Sequence, residues 1–320
     1  MKKYINKVLS ALAFAAIVFA ILLVLSYVII PKGDVKNYGM ESAVAKGVLA
    51  EADNTIDVIV IGDSEAYHAI SPMQLWDEQG ITSYVCATSQ QKLDTAQNLL
   101  EGVLTTQKPK VVILETNEIF RELTYENSIA SKAESTFAVF KFHDRWKELN
   151  IGGIFEESES NGEDNFKGFR HTKTKKGVKN RDLKHYMDYT DSVEHVSRVN
   201  KGYVRAIKKI CDDNQIKLLL LSTPSTKNWD YYKHNGIAQL ADELGVDYVD
   251  INILQNEVDI DWSQDTKDEG DHLNCYGAEK HTEFLGRYLK ENYSLEDHRG
   301  DSNYSPWNTA LDKYNKVLTG

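Results

Sequence analysis

From Val8 to Ile30 the chain reads VLSALAFAAIVFAILLVLSYVII, 23 residues without a charge. A run so uniformly apolar has to satisfy its backbone hydrogen bonds internally, and a helix does this. At about 1.5 Å per residue it measures roughly 34 Å, enough for a hydrocarbon core of roughly 30 Å. A secretory signal would have a shorter apolar region and end at a small-x-small site. Here the run ends in Tyr27, Val28, Ile29, Ile30 and Pro31, so it reads as an uncleaved anchor. Lys2, Lys3 and Lys7 precede it, and only Lys32 and Lys36 follow closely. That bias keeps the N-terminus in the cytoplasm and puts everything beyond Pro31 outside.

The remainder is acidic. Of the 320 residues 37 are Lys or Arg and 48 are Asp or Glu, a net charge of −11 that becomes −14 without the three N-terminal lysines. Such a body lacks the basic face that phosphate neutralisation requires, which argues against nucleic acid as a partner. Three scattered cysteines, Cys86, Cys211 and Cys275, suit neither a disulfide framework nor a zinc site. With 42% hydrophobic residues the chain can still bury a sizeable core.

Past a polar stalk at 32–54, which includes a short helical stretch at Glu41 to Ala52, apolar runs alternate with helical patterns. IDVIVIG, SYVCAT, KPKVVILE, IKLLLLSTPS and VDYVDI are short, nearly continuous apolar segments, as strands covered on both faces require. Helices are expected at Lys92 to Leu104, Tyr232 to Leu244 and Ala278 to Leu289. The alternation predicts an α/β three-layer sandwich with a five-stranded parallel sheet and its chemistry at the carboxyl ends of the strands. The expected division is a cytoplasmic tip and anchor (1–31), the stalk (32–54), a catalytic domain (55–293) and a tail packed back on it (294–320).

A long polar insertion, about 120–200, interrupts that domain. Its segment FKGFRHTKTKKGVKNRDLKH holds eight basic residues against one acid, Asp182. A solvated loop is the simpler reading; the sharper one is contact with anionic head groups or an anionic wall polymer.

Ser64 follows the first strand directly, in VIVIGDSEAYHAISP. A serine at a strand-to-helix turn stands at the carboxyl edge of the sheet, where backbone N–H groups can meet an oxyanion. By itself the tripeptide Gly62-Asp63-Ser64 reads more readily as a helix cap by Asp63 or Ser64. Two further segments change its meaning. Asn117 follows the third strand in VVILETNEIF, and His272 precedes the last helix in DTKDEGDHLNCYGAEK. A serine after strand one, an asparagine after strand three and a histidine before the final helix can converge.

This order and spacing resembles the SGNH hydrolase superfamily, also called GDSL esterases. Block I, GDS, matches Gly62, Asp63 and Ser64. Block III, G-x-N-D, matches at Asn117, with Glu115 and Glu118 in place of its Gly and Asp. Block V, D-x-x-H, matches at His272, with Glu269 three residues before it, Asp268 four before and Asp271 immediately before. Where block II has a glycine this chain has Ala87, Thr88, Ser89 and Gln90. HLNCYGAEK, the single span and the insertion resemble the membrane-anchored proteins of alginate O-acetylation and teichoic-acid D-alanylation. The likeness covers roughly Ile56 to Tyr293.

The resemblance implies an extracytoplasmic serine acyltransferase or esterase acting on acyl groups, acetyl first, of a cell-surface polysaccharide or wall polymer. Several such proteins work beside a multi-span membrane O-acyltransferase. His272 would deprotonate Ser64, which attacks the acyl carbonyl and becomes acylated; Asn117 and the Ser64 N–H would hold the oxyanion. Asp268 is the first choice to orient the imidazole, Asp271 a near-equal alternative and Glu269 a third. No step needs a metal or a cofactor. A plain esterase or deacetylase and an inactive SGNH scaffold partnering a membrane acyltransferase are the alternatives.

Other candidates have plainer explanations beside the functional ones. Arg145, in FHDRWKEL, suits gripping an anionic donor or sugar, or the polar face of an amphipathic helix. Asn228, Trp229 and His234, after the fourth strand, suit a cleft wall with Trp229 stacked on a sugar ring, or simple burial. His68, one helical turn beyond Ser64, suits the site or a surface cap.

Overall fold

The computed structural model describes residues 2–29, 44–141, 164–179 and 183–319. Contacts divide the chain into two units, Met1–Met40 with Thr124–Ser160, and Glu41–Leu123 with Asn161–Gly320.

In the first unit α1 spans Lys2–Ile29. Its apolar residues surround the whole helix rather than marking one face. Within this helix Lys3–Ile29 is long and apolar enough to cross a membrane. Two short helices of the same unit, Tyr125–Thr136 and Ala138–Lys141, complete its described part. The junction between them meets α1 through an edge-on contact of Phe137 with Phe19 at 5.3 Å and a bond from the Val139 N–H to Ser26 Oγ.

The second unit is built on the five-stranded parallel sheet that the apolar runs predict: β1 Val58–Gly62, β2 Ser83–Ala87, β3 Val111–Glu115, β4 Lys217–Ser222 and β5 Asp247–Asp250. The strand order is β2-β1-β3-β4-β5, all pairs parallel. Alternate side chains feed two cores. Ile59, Ile61, Val112, Leu114, Leu218 and Leu220 enter one, and Val58, Val60, Val111, Ile113, Leu219 and Leu221 the other. Helices cover both faces, which is why these strands carry almost no polar residue.

Counting helices along the whole chain, α2 is Ser64–Ala69, α3 Pro72–Gln79, α4 Leu93–Val103, α5 and α6 the two short helices above, α7 Arg198–Asp213, α8 Tyr231–Leu244, α9 Cys275–Asn292 and α10 Ser305–Thr319. The sequence reading gives no bounds for α2, α3, α5, α6, α7 or α10. In α7 the buried Val204, Ile207 and Cys211 recur at three and four residues, so the helical period was present at the end of the insertion. Helix α10 buries Trp307 against Trp76 of α3, with ring centroids 5.6 Å apart. Described residues of the stalk also belong to this unit: Val48 is buried, and Tyr84 donates to the Val44 carbonyl.

The strand order reverses between β1 and β3, whose neighbours β2 and β4 lie on opposite sides. Crossovers leave in opposite directions there and open a crevice at the carboxyl ends of those two strands. Ser64 follows β1 and Asn117 follows β3, so the topology places both at that crevice.

Candidate active site

Gly62, the last residue of β1, has no room for a side chain. A Cβ there would stand 2.6 Å from Glu115 Cβ and 2.7 Å from Ala66 Cβ, so close approach of β3 and α2, rather than an unusual turn, requires glycine. Asp63 then caps α2, its carboxylate accepting from the Glu65 N–H at 2.9 Å. Its other oxygen accepts from Asn117 Nδ2 at 3.2 Å, Arg121 Nε at 2.8 Å and Arg121 Nη2. Asp63 is fully buried, so the Arg121 fork supplies the countercharge that such a group requires.

This network fixes Ser64 as the first residue of α2, where its N–H has no intrahelical acceptor. Ser64 Oγ lies 2.8 Å from His272 Nε2. On the far side of the ring, His272 Nδ1 is 2.7 Å from Asp268 Oδ2, and the His272 backbone N–H reaches Asp268 Oδ1 at 2.7 Å. A carboxylate accepts only, so Nδ1 carries the proton and Nε2 is free to take one from the serine. Asp271 Oδ2 stands farther from the same Nδ1, at 3.7 Å. Glu269 turns away and pairs with Lys176 at 3.4 Å.

The local fold of the His272 loop explains this choice. Thr266 and Leu273 form an antiparallel bridge, closing a hairpin whose tip has positive φ at Glu269 (64°) and Gly270 (87°). Reversing the chain at those residues returns Asp268 to the ring of His272. Burial alone would raise the Asp268 carboxyl. The two hydrogen bonds from His272, with the His272 and Lys267 charges, hold it well below the usual carboxylate range.

The basic segment of the insertion laces onto this hairpin. Backbone bonds run from Cys275 N–H to Thr172 O, Lys176 N–H to Thr266 O, Glu269 N–H to Lys176 O and Val178 N–H to Trp262 O. At its start Arg170 N–H reaches Tyr67 O in α2, and the Arg170 carbonyl is 3.0 Å from His68 Nδ1. His68 packs edge-on against His272 with centroids 5.3 Å apart, and burial, with the neighbouring Lys267, pushes it down to about 3. It is therefore a neutral ring donating Nδ1–H to that carbonyl, a wall for the imidazole rather than a second base.

Behind the serine lie buried acids that sequence reasoning missed as a group. Glu65, Glu115 and Glu118 are all pushed well above the usual carboxylate range, first by burial and then by the charge of Asp63. Glu118 takes a bond from Gln91 Nε2 at 3.2 Å, and Gln91 in turn holds Thr88. Those bonds fasten the loop after β2, where the SGNH pattern has glycine, to the loop after β3. Nothing in the sequence marks these glutamates as buried, because the burial is a property of the assembled sheet edge.

Trp229 is 5% exposed and donates its indole N–H to Asp250, leaving no face for a sugar. His234 Nδ1 and the Tyr248 hydroxyl meet the same carboxylate, at 2.8 and 3.1 Å. Both residues thus serve a network at the ends of β4 and β5 and do not line the crevice. Arg145 lies outside the described residues, as do His143 and Trp146.

No protein-family model matches the sequence, and no curated protein matches it. Solved structures with a similar chain path include a GDSL-like lipase from Bacteroides thetaiotaomicron, 12% identical with a TM-score of 0.40, covering 80% of this chain and 100% of that one. Another is a lipase/acylhydrolase from Enterococcus faecalis, 10% identical with a TM-score of 0.37, covering 75% of this chain and 99% of that one. Likenesses this distant assign no function.

Proposed function

We propose that this chain is an SGNH-type serine enzyme that moves or removes acyl groups, acetyl first, on a cell-surface glycan. The observation that carries the reading is the unbroken line Ser64 Oγ, His272 Nε2, His272 Nδ1, Asp268 Oδ2, with steps of 2.8 and 2.7 Å across the ring. In this reading His272 takes the Ser64 proton as Oγ bonds to the acyl carbonyl. The carbonyl oxygen becomes an oxyanion held by the Ser64 N–H and the second N–H of Asn117 Nδ2. Collapse expels the donor alkoxide, which leaves with the His272 proton, and an acyl-Ser64 remains. His272 then deprotonates the incoming hydroxyl as it attacks the acyl carbon, and returns that proton to Ser64 Oγ as the acyl–Oγ bond breaks. A sugar hydroxyl in that second step makes a transferase, and water makes an esterase.

The cell-surface part rests on two features. Lys3–Ile29 is long and apolar enough to span a membrane, with its flanking lysines on the side read as cytoplasmic. Beside the site, Lys173, Lys175, Lys179 and Lys227 are exposed and form no ion pair with a carboxylate among the described residues. Exposed lysines on the segment paired with the His272 hairpin favour a polymer that carries negative groups.

Labelling of the full chain in detergent with a fluorophosphonate tests the nucleophile. Label on the wild type and none on Ser64→Ala supports the reading; equal labelling of both sinks it. Acyl transfer from a chromogenic ester to an added glycan, measured against hydrolysis, separates transferase from esterase.

A further inference from the structure

Two carboxylates reach for one proton on His272. Asp268 Oδ2 is 2.7 Å from Nδ1 and Asp271 Oδ2 is 3.7 Å from it, both from the same hairpin. One N–H makes one good hydrogen bond, so something must decide between them. We infer that Asn228 is the positioning residue that assigns His272 to Asp268 by holding Asp271 back. The inference rests on the acyl-serine reading above.

Asn228 Nδ2 lies 2.5 Å from Asp271 Oδ1 and 2.6 Å from Glu65 Oε1, one N–H for each. Its position is itself fixed, because its backbone N–H donates to Ser225 Oγ at 3.2 Å. The same short loop grips the hairpin through Ser225 Oγ to Asp271 O, Thr226 N–H to Gly270 O and Lys227 Nζ to Asp268 O, at 2.8, 2.8 and 2.7 Å. Asn228 therefore ties the residue after the nucleophile to the residue before the base. Glu65 is a suitable far anchor. Burial, then the charge of Asp63, pushes its carboxyl well above the usual range, which disfavours a second negative charge beside Asp271.

The effect on chemistry follows from geometry. A carboxylate in contact with Nδ1–H fixes the tautomer and stabilises the imidazolium that forms when Ser64 gives up its proton. Held by Asn228, Asp271 does neither. Freed from the amide, its Oδ2 starts about 0.5 Å beyond hydrogen-bond range of Nδ1, at 3.7 Å.

A double-mutant cycle on the full chain in detergent tests this. Asp268→Asn alone is expected to slow ester turnover by roughly 10³- to 10⁴-fold. Asn228→Ala alone is expected to cost about tenfold or less, and the double variant to be about tenfold faster than Asp268→Asn, because Asp271 takes over. Adding Asp271→Asn should abolish the recovery. Losses that multiply in the double variant would overturn the inference, since a merely structural Asn228 predicts that outcome. If the alanine variant does not fold, Asn228→Leu, of similar size and unable to donate, replaces it.

Proton spectra of the ¹⁵N-histidine-labelled chain, assigned with His272→Gln, decide the matter without turnover. The downfield Nδ1–H resonance should vanish in Asp268→Asn and return in the double variant; its absence there refutes the role of Asn228. Should Ser64 fail to label in the wild type, the acyl-serine reading falls while this resonance still reports on Asn228.

Discussion

His272 Nε2 stands 2.8 Å from Ser64 Oγ, although 208 residues of chain separate the two. Groups that act as one proton-transfer unit are not additive when removed. Ser64→Ala and His272→Ala should each lower ester turnover by roughly 10⁴- to 10⁶-fold, and the double variant should be no slower than the worse single one. A double variant slower by the product of the two losses would mean that they do not act on the same proton.

Arg121 is the countercharge of a carboxylate with no access to water. Removing one partner of a buried pair leaves the other charge uncompensated, at a cost of roughly 3–5 kcal/mol. Arg121→Ala should therefore lower unfolding stability by about that amount, and Arg121→Lys by less, since it keeps the charge but loses the fork. Chemical denaturation of the three proteins checks this. Equal stability of wild type and Arg121→Ala would show that Asp63 is served by Asn117 and the Glu65 N–H alone.

Glu118 gives a prediction in pH. Its carboxyl is fully buried, one of its oxygens has no hydrogen-bond partner, and its folded pKa lies well above the ordinary value. A group raised in the folded state contributes stability that is fully present below its unfolded pKa, about 4.3, and is lost as pH rises toward the folded one. The slope is at most about 1.4 kcal/mol per pH unit. Glu118→Gln removes the titration, so its stability relative to wild type should increase between pH 5 and 8. A difference that does not change with pH would place the proton elsewhere.

The lysines of the laced segment should matter for a charged polymer and not for a small neutral ester. Lys173→Glu, Lys175→Glu and Lys179→Glu combined should weaken binding of a labelled polyanion such as polygalacturonate at least tenfold at low salt. The difference should shrink as salt screens it. Turnover of p-nitrophenyl acetate should stay unchanged, because none of the three touches Ser64 or His272. Equal slowing of the ester would assign them to holding the hairpin instead.

How much of this was legible beforehand follows from which interactions are local. The strands were, because a strand covered on both faces must be apolar at every position, as Val58 to Ile61 and Val111 to Leu114 are. Ser64, Asn117 and His272 were candidates because each follows or precedes such an element. The laced segment was not legible as structure, because its partners in the His272 hairpin lie about 90 residues away and pair by backbone atoms that any sequence supplies. Arg121 and Glu65 share that fate, and Asn228, Glu115 and Glu118, legible as residues beside strand ends, were not legible as partners of other buried carboxyl groups. A polar side chain beside a strand end looks the same in sequence whether it faces water or another carboxylate.

The carboxylate that serves His272 is where side-chain spacing and hairpin geometry part. The block V spacing by itself fits Glu269, three residues before the histidine, whereas the sequence reading puts Asp268 first and keeps Asp271 as a near-equal alternative. The turn at Glu269 and Gly270 swings Asp268 onto Nδ1, and it turns Glu269 outward to Lys176. Asp268→Asn should then cost orders of magnitude in turnover with Ser64 still in place, because an amide facing Nδ1 favours the wrong tautomer. Asp271→Asn should cost little, since its carboxylate makes no hydrogen bond to the ring, and Glu269→Gln less still. Asp268 carries a depressed folded pKa, so its contribution is present above its unfolded value, near 3.9, and disappears only as pH falls through the lower folded one. The Asp268-dependent part of the rate should therefore persist into mildly acidic buffer. Turnover of the three variants at matched folded fraction decides among them: a large loss confined to Asp271→Asn would exchange the two aspartates, and near-wild-type rates in all three would leave Ser64 and His272 as a dyad.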